Sequence, residues 1–471
     1  MIEPIAATLP TPSTPSTLNT LKRRLGLTTA TAVVVAEMIG VGVFLTTAGM
    51  AKSVGSPFWL SVVWATMGAA AIGGAFCFGA LAARRPEAGG SYIYLKDAYG
   101  PRVGFLYGWL SMLVTDPGIT AAVAVGLAEY VGYLAPIGPW GRKFVAMAAI
   151  GVLAGVNIRG VALGASLLRV LAALKLGLLG FLVFWGFASG KGDWSNLLPI
   201  VAQRPGSQPL VPALIGGFIA AFFSMGGWWD LSKLSGEVRD PARNVPRALV
   251  LGVSIVTLVY VLITVVFLYL VPLERIDDKQ AFAALAGEVL FGRLGGAVFS
   301  WIVIITVAGS LSALLMAAPR VYFAMACDGL FFPRFAALHP KYGTPARATL
   351  IQAVLACVLV AAGTFDQILA YFIVPTVVFL VLTVFALFVG ERGRSARTPG
   401  LIAAALLFLA PTTALLALFF MDSPLRAGIG LGVVLLGVPF SYLVAPAGTT
   451  ANRTEITDQD PPGEVGRKFD L

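Results

Sequence analysis

The chain has 471 residues, of which 58% are hydrophobic and only 12% are charged. Soluble domains carry about 25% charged residues, so this composition excludes an ordinary soluble protein. The formal net charge of +10 is interpreted as the Lys/Arg excess of cytoplasmic loops, not as a nucleic-acid-binding surface. Many apolar runs exceed about 18 residues, the length that predicts a helix spanning a lipid bilayer. We therefore expect an all-α, polytopic membrane protein with no nucleic-acid partner.

Twelve apolar runs predict twelve transmembrane helices. They cover about residues 27–51, 58–83, 98–134, 143–158, 161–188, 211–231, 247–271, 294–326, 347–362, 365–390, 399–420 and 425–446. Residues 1–20, rich in Thr, Pro and Ser, predict a disordered cytoplasmic leader, and the polar residues 447–471 predict a disordered cytoplasmic tail. Lys and Arg concentrate in every second loop, which predicts that both termini are cytoplasmic and that Lys233 lies in an internal loop.

Two of these runs are interrupted by glycines. Gly40 and Gly42 lie in the middle of the first run, and Gly226 and Gly227 lie in the sixth. Each glycine costs about 1 kcal/mol relative to alanine inside a helix. In a membrane, irregular backbone persists only where protein or a water-filled cavity surrounds it. The two interruptions therefore predict a binding site formed by broken helices.

The positions of the breaks divide the chain into two five-helix units, residues 21–190 and 205–392, followed by helices 11 and 12 in residues 397–446. Because five is odd, the second unit starts from the opposite side of the membrane, as an inverted repeat. Glycine breaks at matching positions of two such halves are typical of a transporter substrate site.

The backbone of a helix break can itself bind an amino acid. The outer half-helix offers unpaired N–H groups and the positive end of the helix dipole, which suit a carboxylate. The inner half-helix ends in unpaired carbonyls, which suit an ammonium group. Glycine lets the ligand approach the backbone closely.

Four motifs resemble a known family. They are Ile39–Phe44, Pro86–Tyr94, Gly236–Arg247 and Pro319–Leu330. In this order they resemble the amino acid–polyamine–organocation superfamily and, within it, bacterial permeases related to L-type amino acid transporters. The resemblance covers about residues 21–446. It implies a LeuT-type fold, in which a 5+5 inverted repeat is followed by two extra helices and helices 1 and 6 are broken.

The resemblance also implies a substrate site. Alignment with the family puts the substrate carboxylate on N–H groups near the first break and the substrate ammonium on carbonyls at both breaks. Phe223 falls where the family has an aromatic gate. The expected substrate-binding residues are Met38, Ile39, Gly40, Val41, Gly42, Phe223, Ser224, Gly226 and Gly227.

Lys175 is the most informative charge, because it lies in the middle of the fifth run. An ionisable side chain at that depth is unfavourable in lipid and indicates function by default. Sodium-independent transporters that resemble this chain carry a lysine on helix 5 whose ammonium replaces a sodium ion near helices 1 and 8. We therefore expect Lys175 to act in coupling.

Three acids and one aromatic residue have open interpretations. Glu37 directly precedes the first break and can pair with Lys175, carry a proton or attract a cationic substrate. Asp116, before Pro117 in the third run, is either a wall of the pocket or a solvated residue at a kink. Asp230 and Trp228 follow the second break and are candidates for structural or pocket roles.

The charges after the sixth helix, from Glu237 to Arg243, are either solvated or part of a cytoplasmic gate. The single histidine, His339, lies in a loop, and the three cysteines have no metal-ligand spacing. No phosphate-binding Gly-Lys-Ser/Thr loop is present. We therefore expect no enzyme activity, no cofactor and no metal. Since no cysteine lies in an external loop, we expect no disulfide-linked accessory subunit.

Together these features predict a sodium-independent amino acid permease of the cytoplasmic (inner) cell membrane. It would exchange amino acids or couple their uptake to protons, by alternating access to one substrate site. The alternative is a polyamine or organic-cation transporter of the same fold, favoured if Glu37 and Asp116 both face the site.

Overall fold

A computed structural model describes residues 21–40, 42–275, 282–362, 365–389, 398–422 and 424–444. Within these ranges the chain is almost entirely helical and forms no β-strand, only one isolated bridge between Leu25 and Val238. The predicted leader, the predicted tail and Val41 lie outside the described residues.

Seventeen α-helices are described in these ranges. They are α1 Leu27–Met38, α2 Gly42–Val54, α3 Pro57–Arg84, α4 Ser91–Tyr99, α5 Pro101–Leu110, α6 Asp116–Leu134, α7 Pro139–Ile158, α8 Val161–Ala188, α9 Leu210–Ser224, α10 Pro241–Leu270, α11 Phe282–Phe291, α12 Gly295–Ala317, α13 Pro319–Cys327, α14 Ala346–Ala362, α15 Phe365–Ala386, α16 Pro399–Asp422 and α17 Pro424–Val444.

These helices account for the twelve predicted membrane runs. Among the described residues, nine spans are long and apolar enough to cross a membrane, and three further apolar helices are shorter. The first run is divided between α1 and α2, the sixth between α9 and a 3₁₀ helix at Trp228–Glu237, and the eighth between α12 and α13. The all-α polytopic class with broken helices 1 and 6 is thus confirmed, while the division into repeat units stays a prediction.

The sequence pattern missed two short helices outside the apolar runs. α4 lies in the first predicted internal loop and packs against α5 and α15, and α11 precedes α12 and packs against it. A five-residue π-helix, Ser111–Thr115, joins α5 to α6. It is followed by Asp116 and Pro117, and the proline lacks the N–H that would continue the helical ladder.

The broken helices lie at the centre of the bundle. α1 packs against α8, α10 and α12, and α2 packs against α9. Most side chains of α1 and of α12 are buried, whereas α7, α8 and α16 are largely exposed. Their exposed residues include large apolar side chains such as Phe144, Phe184 and Leu406. This arrangement puts polar and irregular backbone inside protein and apolar side chains towards lipid, as a membrane requires.

Candidate substrate site at two helix breaks

The first break separates α1 from α2. Ile39 leaves the helix with ψ of 75°. The Gly40 N–H donates to the Met38 carbonyl at 2.8 Å, a tight local turn that replaces the helical ladder. The helix begins again at Gly42. Among the predicted site residues here, Val41 lies outside the described residues.

The second break follows α9. Its last residue is Ser224, and the Gly226 N–H donates to the Phe223 carbonyl at 3.2 Å. Gly227 has φ of +96°, a left-handed conformation that favours glycine. The chain then continues as a 3₁₀ helix, not as an α-helix.

The two breaks contact each other directly. A Cβ atom on Gly42 would lie 2.9 Å from the Ser224 Cα, and a Cβ on Gly227 would lie 3.1 Å from the Glu37 carbonyl carbon. Glycine is therefore required at both positions by close approach of the backbones. The Thr46 and Ser224 hydroxyls are 2.8 Å apart and add a polar contact between α2 and α9.

Tyr260 of α10 joins the two breaks, and the sequence analysis missed it. Its buried hydroxyl lies 2.8 Å from the Met38 carbonyl oxygen and 2.9 Å from the Ser224 carbonyl oxygen. A phenol has one proton, so it donates fully to one of these carbonyls at a time or is shared between them. A tyrosine in an apolar run carries no local signal of this role.

The breaks also satisfy part of their own hydrogen-bonding capacity. The resemblance puts the substrate ammonium on the carbonyls of Met38, Phe223 and Gly226. Met38 O accepts from the Gly40 N–H and lies beside the Tyr260 hydroxyl, and Phe223 O accepts from the Gly226 N–H. A carbonyl oxygen has two lone pairs, so Phe223 O can accept once more, whereas Met38 O can do so only when Tyr260 donates to Ser224 O. The Phe223 ring is half-buried against the core.

Lys175 of α8 is fully buried beside the first break. Its Nζ donates to the Ala36 carbonyl at 3.1 Å, the Ile39 carbonyl at 2.5 Å and the Ser310 hydroxyl oxygen at 3.1 Å. Ser310, on α12, itself donates to the Ile39 carbonyl at 2.9 Å. We call this arrangement the Lys175 site: one ammonium held by neutral oxygens from α1 and α12.

A second buried lysine differs from the sequence expectation. Lys233, predicted in an internal loop, is 3% exposed and forms ion pairs with Asp116 at 2.8 Å and Asp230 at 3.0 Å. The Tyr322 hydroxyl donates to the other Asp116 oxygen at 3.1 Å. We call these four residues the Lys233 cluster. Asp116 is therefore neither solvated nor unpaired.

Glu37 is buried near both lysines but pairs with neither. It is 8% exposed, and neither carboxylate oxygen has a hydrogen-bond partner among the described residues. A pair between Glu37 and Lys175, one of the three interpretations of Glu37 left open by the sequence, does not form in this conformation. The Lys175 ammonium is bound to carbonyl and hydroxyl oxygens instead.

The charges after the second break are not all solvated either. Glu237 is fully buried and pairs with the buried Arg320 of α13 at 2.7 Å. The Glu237 carbonyl accepts from the N–H groups of Arg24 and Leu25, at 2.8 and 2.9 Å. The segment before α1 is thereby fastened to the end of the 3₁₀ helix.

Trp228 lies in the packing of the bundle. It is 1% exposed, and its ring meets Phe78 and Phe408 edge-on at 5.1 and 5.9 Å between centroids. With Met225 and Trp229 it also lines a narrow apolar cavity between α3, α9 and α16. The structure thus places Trp228 against α3 and α16.

Comparison with known proteins adds a family. A family model described as "Amino acid permease" matches residues 25–439. The chain is 29% identical over 438 residues to the large neutral amino acids transporter small subunit 2 of Homo sapiens, covering 90% of this chain and 80% of that protein. It is 27% identical over 433 residues to the serine/threonine exchanger SteT of Bacillus subtilis, covering 90% and 97%. It is 26% identical over 437 residues to the Asc-type amino acid transporter 1 of Mus musculus, covering 90% and 81%.

Proposed function

Because the chain belongs to the amino acid permease family, we propose that it is a sodium-independent, secondary active amino acid transporter. It is a multi-pass membrane protein, and the relatives that it matches are transporters, not enzymes. In the proposal it works in the cytoplasmic membrane with both termini inside. Alternating access moves the two predicted repeat units around one substrate site.

The observation that carries the proposal is the meeting of the two helix breaks. Gly42 packs on Ser224, and Tyr260 lies on carbonyls from both breaks. The N–H groups at the start of α2 are suited to a carboxylate, and the carbonyls around Met38 and Phe223 are suited to an ammonium. An α-amino acid carries both groups on one carbon. A site of this kind binds the carboxylate and ammonium groups that all α-amino acids share. Other residues around the site determine which side chain is accepted.

The Lys175 site supports sodium independence. Three neutral oxygens from α1 and α12 surround a point where a monovalent cation would be well coordinated, and the ammonium of Lys175 already occupies it. A covalently attached cation needs no sodium ion to stabilise the first break. Exchange of one amino acid for another is one mode of the proposed cycle, and the named activity of the SteT relative, serine/threonine exchange, supports this mode.

The names of the relatives also suggest the substrate class. One is named for large neutral amino acids and another for serine and threonine, so we propose neutral amino acids as substrates. The polyamine alternative has less support, because Asp116 is already paired with Lys233. We propose that the chain acts without a disulfide-linked subunit.

The test is counterflow in proteoliposomes containing the purified protein. Vesicles preloaded with an unlabelled neutral amino acid should take up a labelled one, equally well in sodium and in choline buffer. A panel of neutral, cationic and acidic amino acids and polyamines defines the substrate. Strict sodium dependence would contradict the role of Lys175, and preference for putrescine over every neutral amino acid would contradict the substrate class.

A further inference from the structure

Glu37 is a buried acid for which the contacts of the site provide no partner. It lies in the last turn of α1, is 8% exposed, and has both carboxylate oxygens shielded from solvent and without a hydrogen-bond partner among the described residues. An ionised carboxylate in such a place loses its hydration and gains nothing in return. A persistent arrangement of this kind needs either a counter-charge or a proton on the acid.

None of the charged groups that surround Glu37 in the described part of the chain forms an ion pair with it. From α8 comes Lys175, which is bound to oxygens of α1 and α12. From the 3₁₀ helix come Asp230 and Lys233, and beyond them lies Asp116 of α6. The ammonium of Lys233 is shared by these two aspartates.

The remaining neighbours of Glu37 add polar groups but no charge. α10 contributes the Tyr260 hydroxyl, which faces carbonyls of the two breaks, and α12 contributes Ser310 at the Lys175 site. The neighbourhood thus holds three acids and two lysines, with both lysines bound elsewhere. If all three acids were ionised and both lysines charged, one negative charge would be uncompensated. Glu37 is the acid of the three that has no ion pair.

Three kinds of cation could in principle neutralise Glu37. A metal ion needs several oxygen, nitrogen or sulfur ligands, and no group of three acidic, His or Cys side chains suited to a metal occurs in the described part of the chain. A cationic substrate group needs open space at the carboxylate, and both Glu37 oxygens are packed against protein in this conformation. A proton needs no cavity and no further ligand.

We propose that Glu37 is the proton-binding residue of this transporter and is protonated in the present conformation. This inference rests on the proposed function and names its coupling ion. In the cycle, a Glu37 carboxylate oxygen accepts a proton when the site opens to the outside, and the carboxylic acid releases that proton when the site opens to the cytoplasm. No other bond forms or breaks.

Glu37 is well placed to link protonation to movement. The Cβ position of Gly227 is 3.1 Å from the Glu37 carbonyl oxygen, so α1 and the second break are in contact at this residue. A negative charge appearing on Glu37 would repel Asp230, on the inner side of that break. Deprotonation would therefore favour separation of the inner half-helices, which is the movement that opens the site to the cytoplasm.

The experiment compares wild type with E37Q in proteoliposomes that carry a pH-sensitive dye, with the membrane potential clamped. For the wild type, an acidic exterior should drive accumulation of a neutral amino acid, and the lumen should acidify during uptake. A gradient of one pH unit supports up to about tenfold accumulation per proton carried. The E37Q variant should lose both the proton-driven accumulation and the lumen acidification, since a Gln side chain neither binds nor releases the proton.

The matched control is E129Q, which makes the same chemical change at a half-exposed glutamate paired with Arg142. It should behave as the wild type. Accumulation and lumen acidification by E37Q at the wild-type level would overturn the inference. So would a wild type that exchanges amino acids but shows no proton movement, a result that leaves the proposed function intact. Absence of any amino acid counterflow would instead refute the proposed function.

If E37Q does not transport, infrared difference spectroscopy on the purified proteins tests whether Glu37 is protonated. A band of a protonated carboxyl group at neutral pH in the wild type, missing in E37Q but present in E129Q, supports the inference. If E37Q does not fold, the comparison is made between wild type and E129Q alone. Absence of that band from the wild type at neutral pH overturns the inference.

Discussion

The molecule holds two buried lysines in different ways. Lys175 is bound by two backbone carbonyls and one hydroxyl, with no acid in contact. Lys233 lies between two carboxylates, Asp116 and Asp230. The Lys175 ammonium is bound by dipoles of a helix break that would rearrange in the proposed alternating-access cycle. The Lys233 ammonium is bound by two opposite charges. We infer that the Lys175 site takes part in transport and that the Lys233 cluster stabilises the position of the 3₁₀ helix after the second break.

The location of each lysine fits this difference. The Lys175 site connects α8, α1 and α12, and it is centred on the irregular residue Ile39. The Lys233 cluster connects the 3₁₀ helix to α6 and, through Tyr322, to α13. Loss of Lys233 should therefore affect mainly folding, and loss of Lys175 should affect mainly transport.

The largest expected effect is on stability, in K233M. Without Lys233, Asp116 and Asp230 are left buried together with no counter-charge, which costs about 3–5 kcal/mol when one partner of a buried pair is removed. The variant should show a much lower unfolding temperature in detergent or a poor yield of monodisperse protein. The double variant K233M/D116N should recover part of the loss, since it removes one of the two charges. Wild-type stability of K233M would contradict a structural role for the cluster.

The second expected effect is on transport, in K175M. The carbonyls of Ala36 and Ile39 lose a charged donor, and each such hydrogen bond contributes about 1.5–3 kcal/mol. Counterflow should fall at least about tenfold, which corresponds to about 1.4 kcal/mol, with a smaller loss of stability than in K233M. The control is K191M at an exposed lysine that donates to the Leu290 carbonyl. If K175M unfolds as readily as K233M, the distinction between the two lysines fails.

A smaller effect is expected at the contact between the two breaks, in G42A. The added Cβ would lie 2.9 Å from the Ser224 Cα, and overpacking of this kind costs about 1–3 kcal/mol. G49A, in the same helix α2, meets nothing within 4 Å and should transport normally. The measurement is substrate affinity from the concentration dependence of counterflow. Equal affinities in the two variants would show that the breaks need not touch.

The smallest effects come from a matched pair of hydroxyl deletions. S310A removes one oxygen from the Lys175 site, and Y322F removes one hydrogen bond to Asp116 from the Lys233 cluster. Each loss is worth about 0.5–1.5 kcal/mol. We expect S310A to lower the transport rate more than the unfolding temperature, and Y322F to do the opposite. If S310A and Y322F showed the same ratio of lost transport rate to lowered unfolding temperature, the Lys175 site and the Lys233 cluster would not differ in function.

The order of the apolar helices and the positions of both breaks could be predicted from the sequence. These features are local: the length of an apolar run predicts a span, and glycines weaken a helix wherever they occur. It also indicated that Lys175 is unusual, because a charge in the middle of an apolar run is unfavourable in lipid.

Which groups contact each other could not be predicted from the sequence, because these contacts join helices that are distant in the chain. Tyr260 and Ser310 come from other helices to carbonyls of the first break, more than a hundred residues away in the chain. Lys233 follows a break and precedes charged residues, so the local pattern placed it in a loop. The fold turns it towards Asp116 instead. A charged residue in an apolar run shows from the sequence alone that its burial is energetically unfavourable. Whether a partner offsets that cost depends on the fold, and at Glu37 the described residues provide no such partner.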